Sequence, residues 1–156
     1  MQVSPLGEYE PLMLAAPAHI ELYWYLIEPL LDRSTREAMH GEFDIADLKA
    51  LALAGKAHIF VLTNDKTGTN PDRSVSLALA AELVVYPKFP ALNIIALGGN
   101  NLGTAHRKFW KQFCGWAYMN GVRTIEGWVS PGMQRLLERF GFKQIYSHMR
   151  FELTEI

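Results

Sequence analysis

Cysteine is almost absent from this chain. Cys114 stands alone, so no internal disulfide can form, and a reducing compartment fits. Basic residues have no surplus either: fifteen Lys and Arg face sixteen Asp and Glu, a formal net charge of −1. Phosphate backbones are bound by positive surfaces, so this balance argues against a nucleic-acid partner. No apolar stretch approaches the roughly 20 residues of a membrane span, and the longest is broken by Glu82. The opening MQVSPLGEYEPLM has no basic region before an apolar one and does not read as a signal peptide. The expected location is therefore the cytoplasm of a bacterium, or a compartment filled from it. The five histidines, His19, His40, His58, His106 and His148, form no close ligand pair, so no metal is expected. A Gly-x-Ser-x-Gly elbow and a Gly-Lys-Ser/Thr phosphate loop are missing too, which leaves α/β-hydrolase and P-loop readings without support.

What remains is a globular composition in one domain's length. Of 156 residues, 49% are hydrophobic and 20% charged, enough for a single core over residues 1–156. Residues 1–16 precede the first helix as an extended segment. From Pro17 to Arg36, Ile20, Trp24, Ile27 and Leu31 recur at helical spacing, with Pro29 placed to kink or split the helix. Asp44 caps a second helix that Gly55 stops. Three strand-like runs follow, AHIFVLT, SVSLALAAELVVYP and LNIIALGG, joined by the loop NDKTGTNPDRS and the turn KFPA. Their connections are too short for crossovers, so the three pair antiparallel. An amphipathic helix spans about Ala105–Asn120, with Phe109, Trp110, Phe113, Trp116 and Ala117 as its apolar stripe. VRTIEGWV reads as a strand, PGMQRLLERFG as a short helix, and FKQIYSHMRFEL as a last strand or hairpin. The order is ααβββαβαβ, an α/β (α+β) domain with a mixed, mostly antiparallel sheet and helices on both faces. Trp24, Trp110, Trp116 and Trp128 are expected in the core, and Cys114, beside the helical stripe, as packing.

The chemistry concentrates where LNIIALGG meets NNLGTA and the long helix begins. Gly98, Gly99 and Gly103 clear side chains from a sharp turn. The first helical turn leaves backbone N–H groups unpaired, and with the helix dipole these suit an anion such as phosphate. His106, Arg107, Lys108 and Lys111 add cations nearby. The alternative is a tight turn with no ligand.

These features resemble the GNAT family of N-acetyltransferases, which carry Gln/Arg-x-x-Gly-x-Gly/Ala between a strand and the following helix. Asn100-Asn101-Leu102-Gly103-Thr104-Ala105 matches at Gly103 and Ala105 and departs at Asn100. Arg139-Phe140-Gly141-Phe142 resembles the family's ending of the short helix, and the element order agrees from about Ala18 onward. The resemblance implies acetyl-CoA as cosubstrate and an amine as acceptor. The backbone of Asn100, Asn101, Leu102, Gly103, Thr104 and Ala105, with Arg107, would hold the pyrophosphate. Leu97, Gly98 and Gly99 would line the pantetheine arm, beside a strand that splays away. A narrower resemblance, through VYPKFPALNIIALGGN, the Ser-Pro-Gly-Met segment and RFGF, is to small GNAT-like proteins of tailed bacteriophages. Some of those are internal-core or virion proteins, and the partners would then be other virion proteins or copies of this chain.

The resemblance also marks departures. Many family members place a Tyr four residues before the Gly of that Gly-Phe ending, as general acid toward the departing thiolate; here it is Leu137. An Asn often lies seven residues earlier; here it is Ser130. Tyr118 and Tyr146 are the hydroxyls that could replace the acid. For the base, Glu82 is the nearest carboxylate and Glu126 the next, each also readable as an outward-facing strand residue. A catalytic acyltransferase, a non-catalytic acyl-CoA binder and an assembly protein on the same scaffold are the readings to separate.

Overall fold

The computed structural model describes residues 12–63, 75–99 and 102–154, with side chains in the last stretch from Phe109 onward. The expected loop between the first two strands of the meander lies outside the described residues. The elements are β1 (Leu12–Leu14), α1 (Pro17–Ala38), α2 (Ile45–Leu53), β2 (His58–Thr63), β3 (Val75–Val85), β4 (Pro90–Gly99), α3 (Leu102–Met119), β5 (Ile125–Gly127) and α4 (Pro131–Arg139).

The five strands among the described residues lie in sequence order. β1 to β4 pair antiparallel, and β5 joins β4 in parallel after the α3 crossover. Strand alternation sends Leu77, Leu79 and Ala81 of β3 to one face and Ala78 and Ala80 to the other. The first face packs on Phe109, Phe113 and Ala117 of α3 and Leu137 of α4. The second packs on Ile20, Trp24, Ile27 and Leu31 of α1 and Leu48 and Ala52 of α2. A sheet covered on both faces reads as continuous apolar runs, as β2 and β4 do. Asp44 caps α2 through a reciprocal pair with Asp47, and the N–H donated by Asp47 holds the Asp44 carboxyl below its usual range. α1 starts on Pro17 and is not split at Pro29. No helix among the described residues is long and apolar enough to cross a membrane.

One expectation is extended and two are corrected. Part of the N-terminal segment is a strand: β1 pairs with β2, Leu12 is fully buried, and its N–H donates to Gln112 Oε1 at 2.9 Å. Among the described residues the last expected strand does not form. Residues 142–154 run without ladder partners, and Ile145, Met149, Phe151 and Leu153 are each more than 70% exposed. Their alternation is that of a strand, but among the described residues no edge pairs with it. Trp128 is not core: it is exposed, with its ring 5.5 Å from that of His148.

Candidate functional site

Two irregularities in β4 build the site. The first is a bulge. Ala81 faces Ile94 but Ala80 faces Ala96, so Ile95 has no opposite on β3. The second is a parting of strands. β4 and β5 pair only from Leu92 to Ile94. Beyond that point α1 approaches instead, and the N–H of Leu97 donates to Ser34 Oγ at 3.2 Å rather than to a strand. A narrow crevice lies in the opening. Ser34 and Ala38 of α1 line one wall, Ile94 to Leu97 the floor, and Val129, Ser130 and Met133 the other wall.

Beside the crevice, a polar row crosses the sheet on the face that carries α1 and α2. Asn93 of β4 lies opposite Glu82 of β3 and Glu126 of β5. Asn93 Nδ2 donates to Glu82 Oε1 at 3.0 Å, and the Tyr86 hydroxyl donates to Glu126. That hydrogen bond, with the neighbouring negative charge, pushes the Tyr86 phenol above its usual range. Asn93 is 8% exposed, and its Oδ1 has no hydrogen-bond partner among the described residues. Turning the amide over would set oxygen against the Glu82 carboxylate, so the free atom is the acceptor.

No family model matches the sequence, and no curated protein matches it. Solved structures do share its architecture. A predicted acetyltransferase from Clostridium acetobutylicum, crystallised with acetyl-CoA, matches with a TM-score of 0.63 at 11% identity, covering 91% of this chain and 95% of the other. A Trypanosoma brucei acetyltransferase gives 0.58 at 12%, covering 92% and 99%. The aminoglycoside N-acetyltransferase AAC(6')-Iy, in complex with CoA, gives 0.61 at 15%, covering 97% and 99%. This chain has the GNAT fold. At these identities the likeness is one of fold, and chemistry has to be argued from the residues.

Of the residues expected at a GNAT site, Leu97 and Ser130 meet at the crevice. The Ser130 oxygen accepts the Met133 N–H at 3.3 Å as the cap of α4, leaving its own proton to donate. Glu82 and Glu126 are half-buried in the row with Asn93. Gly98 and Gly99 end β4, and each is packed against backbone: a β-carbon on Gly98 would lie 1.6 Å from the Leu30 carbonyl oxygen, and one on Gly99 2.5 Å from that of Ser76. Asn100 and Asn101 lie outside the described residues, as do the side chains of Leu102, Thr104, Ala105 and Arg107. The backbone of α3 begins at Leu102.

Leu137 is buried in the core shared by α3 and α4 and does not line the crevice. Tyr118 is exposed under the Arg123 guanidinium, 3.5 Å from its ring centre, and Tyr146 is exposed in the C-terminal segment. Neither lines the crevice. Cys114 is half-buried on α3, with its thiol pushed up by burial, the state of a packing residue. Sequence reasoning passed over Asn93, Tyr86 and Ser34. A polar residue inside LNIIALGG is the one signal that pointed to Asn93, while the roles of Tyr86 and Ser34 depend on cross-strand register and helix approach.

Proposed function

We propose that this chain binds acetyl-CoA and transfers its acetyl group to an amine. The observation that carries the reading is the parting of β4 from β5 after Ile94, which leaves the Leu97 N–H to a side chain. An extended amide-bearing arm pairs with such an edge as another strand would. The backbone at Leu97, Gly98 and Gly99 serves the pantetheine arm. The segment from Asn100 to Ala105, with Arg107, serves the pyrophosphate at the start of α3. The donor set fits that ligand, since it consists of main-chain N–H groups at a strand edge and a helix start.

In the transfer, the acceptor nitrogen bonds to the acetyl carbon, the carbon–sulfur bond breaks, and the sulfur leaves as thiolate. Glu82, directly or through water, takes the proton the nitrogen loses. Ser130 is the hydroxyl at the crevice that can donate a hydrogen bond to the departing sulfur, whose proton comes from solvent. Leu137 offers none, and general acid help is commonly worth about 10²–10⁴-fold, so turnover is slow. The solved structures that share this fold include acetyltransferases crystallised with acetyl-CoA, with CoA and with sisomicin, which supports acyl-CoA and an amine as ligands here. The same apolar Leu137 favours a second reading, a non-catalytic assembly protein of a phage particle on the GNAT scaffold. Calorimetric titration with acetyl-CoA separates the two: saturable binding supports the acyl-CoA reading, and no heat from the wild-type chain moves it to the scaffold. A cytoplasmic site of action accompanies the first reading.

A further inference from the structure

The acceptor side of the site carries more negative and lone-pair character than one neutral amine needs. Glu82, Asn93 and Glu126 occupy one face of three adjacent strands. Among the described residues neither glutamate has an ion-pair partner, and whereas the other unpaired carboxylates, Glu28, Asp44, Asp47 and Glu138, are exposed, these two are half-buried. Glu82 holds Asn93 Nδ2, and Glu126 holds the Tyr86 hydroxyl. Between them Asn93 Oδ1 is buried and, among the described residues, has no donor. A buried acceptor without a donor is destabilising, and a native structure retains one where a ligand or water completes it.

Resting on the acetyl-transfer reading, we infer that the acceptor is a multiply charged aliphatic amine, held by the row Glu82–Asn93–Glu126. One amine nitrogen donates to Asn93 Oδ1 and lies against Glu82, the group that receives its proton. A second ammonium stays charged against Glu126. Strands are about 4.8 Å apart, so the two glutamate backbones flank Asn93 at about 10 Å, the span of a short diamine with the side chains leaning inward. A carboxylate–ammonium hydrogen bond is stronger than a neutral one, so the second charge supplies the discrimination.

The test titrates the full chain with butane-1,4-diamine and, in parallel, with butylamine. The diamine is expected to bind at least ten-fold more tightly. Glu126→Gln removes most of that preference, while Glu138→Gln, on the exposed side of α4, keeps it. Tyr86→Phe frees the Glu126 carboxylate and keeps or raises the preference, which guards against a misfolded Glu126 variant. Equal binding of the two amines by the wild type, or an unchanged preference in Glu126→Gln, overturns the inference. Acetyl-CoA is titrated separately. Binding of acetyl-CoA without a diamine preference overturns the acceptor assignment alone. A diamine preference without acetyl-CoA binding supports the cation site and removes acyl transfer.

Discussion

Gly98 and Leu30 hold the sheet and α1 in direct backbone contact: a β-carbon on Gly98 would fall 1.6 Å from the Leu30 carbonyl oxygen. The obstacle is main chain, not a side chain that can swing away, so α1 must move. Gly98→Ala is therefore expected to destabilise the fold by about 1–3 kcal/mol or more, the usual cost of overpacking. Chemical denaturation measures it. Unchanged stability would show that α1 does not lie where the structure puts it. The same contact gives Gly98 a reason to be glycine that needs no ligand.

Leu137 tests whether the missing general acid can be restored. It is 3% exposed and packs with Phe109, Phe113 and Val122 in the α3–α4 core. Leu137→Tyr adds volume to a filled core and points no hydroxyl into the crevice. The expected outcome is a lower melting temperature, from a loss of about 1–3 kcal/mol, with no gain in acetyl transfer. A rise in turnover of about 10²-fold or more, the scale of general acid catalysis, would refute this placement.

Most of the helical frame could be read from the chain, because each helix carries its own signal. Phe109, Phe113 and Ala117 recur at helical spacing, and Asp44 announces α2. The three-strand meander is punctuated by turns, so its antiparallel pairing followed from loop length. What could not be read depends on contacts far apart in sequence. β1 has three residues and exists because β2 offers it an edge. The alternating segment from Ile145 to Leu153 has a strand's pattern without a partner's edge. Glu82 and Glu126 could each be singled out, but Asn93 joins them only through register. Ser34 enters because β5 leaves β4 and α1 takes its place.

The Tyr86–Glu126 hydrogen bond has a consequence at alkaline pH. Its phenol titrates above the usual value when folded, since the bond and the nearby charge favour the neutral form. A raised folded pKa contributes stability that is fully present below the unfolded value, about 10. That contribution is lost as pH rises through the higher folded value. The wild type is thus expected to lose stability relative to Tyr86→Phe as pH climbs above about 10. Paired melting curves check the sign, and a constant gap across that window would mean the bond is not formed in solution.

The final prediction turns on competition for one N–H. Leu97 donates to Ser34 Oγ where β5 has withdrawn. If the arm of acetyl-CoA pairs with this edge, it must take the same N–H and Ser34 must release it. A net intramolecular hydrogen bond is worth about 1 kcal/mol. Ser34→Ala is then expected to cost the free protein about that much stability and to tighten acetyl-CoA binding about five-fold. Ser34 is half-buried on α1, so the fold should survive the change. Weaker binding in Ser34→Ala would mean that the hydroxyl itself holds the ligand, and the competition argument would fail. Gly103→Glu serves as the control, since bulk and like charge at the start of α3 should abolish acetyl-CoA binding while leaving the fold intact. Arg107→Ala should weaken binding by about 1 kcal/mol or less, the scale of one exposed cation. If all three variants bind acetyl-CoA like the wild type, the ligand sits elsewhere and the crevice beside Leu97 is not its site.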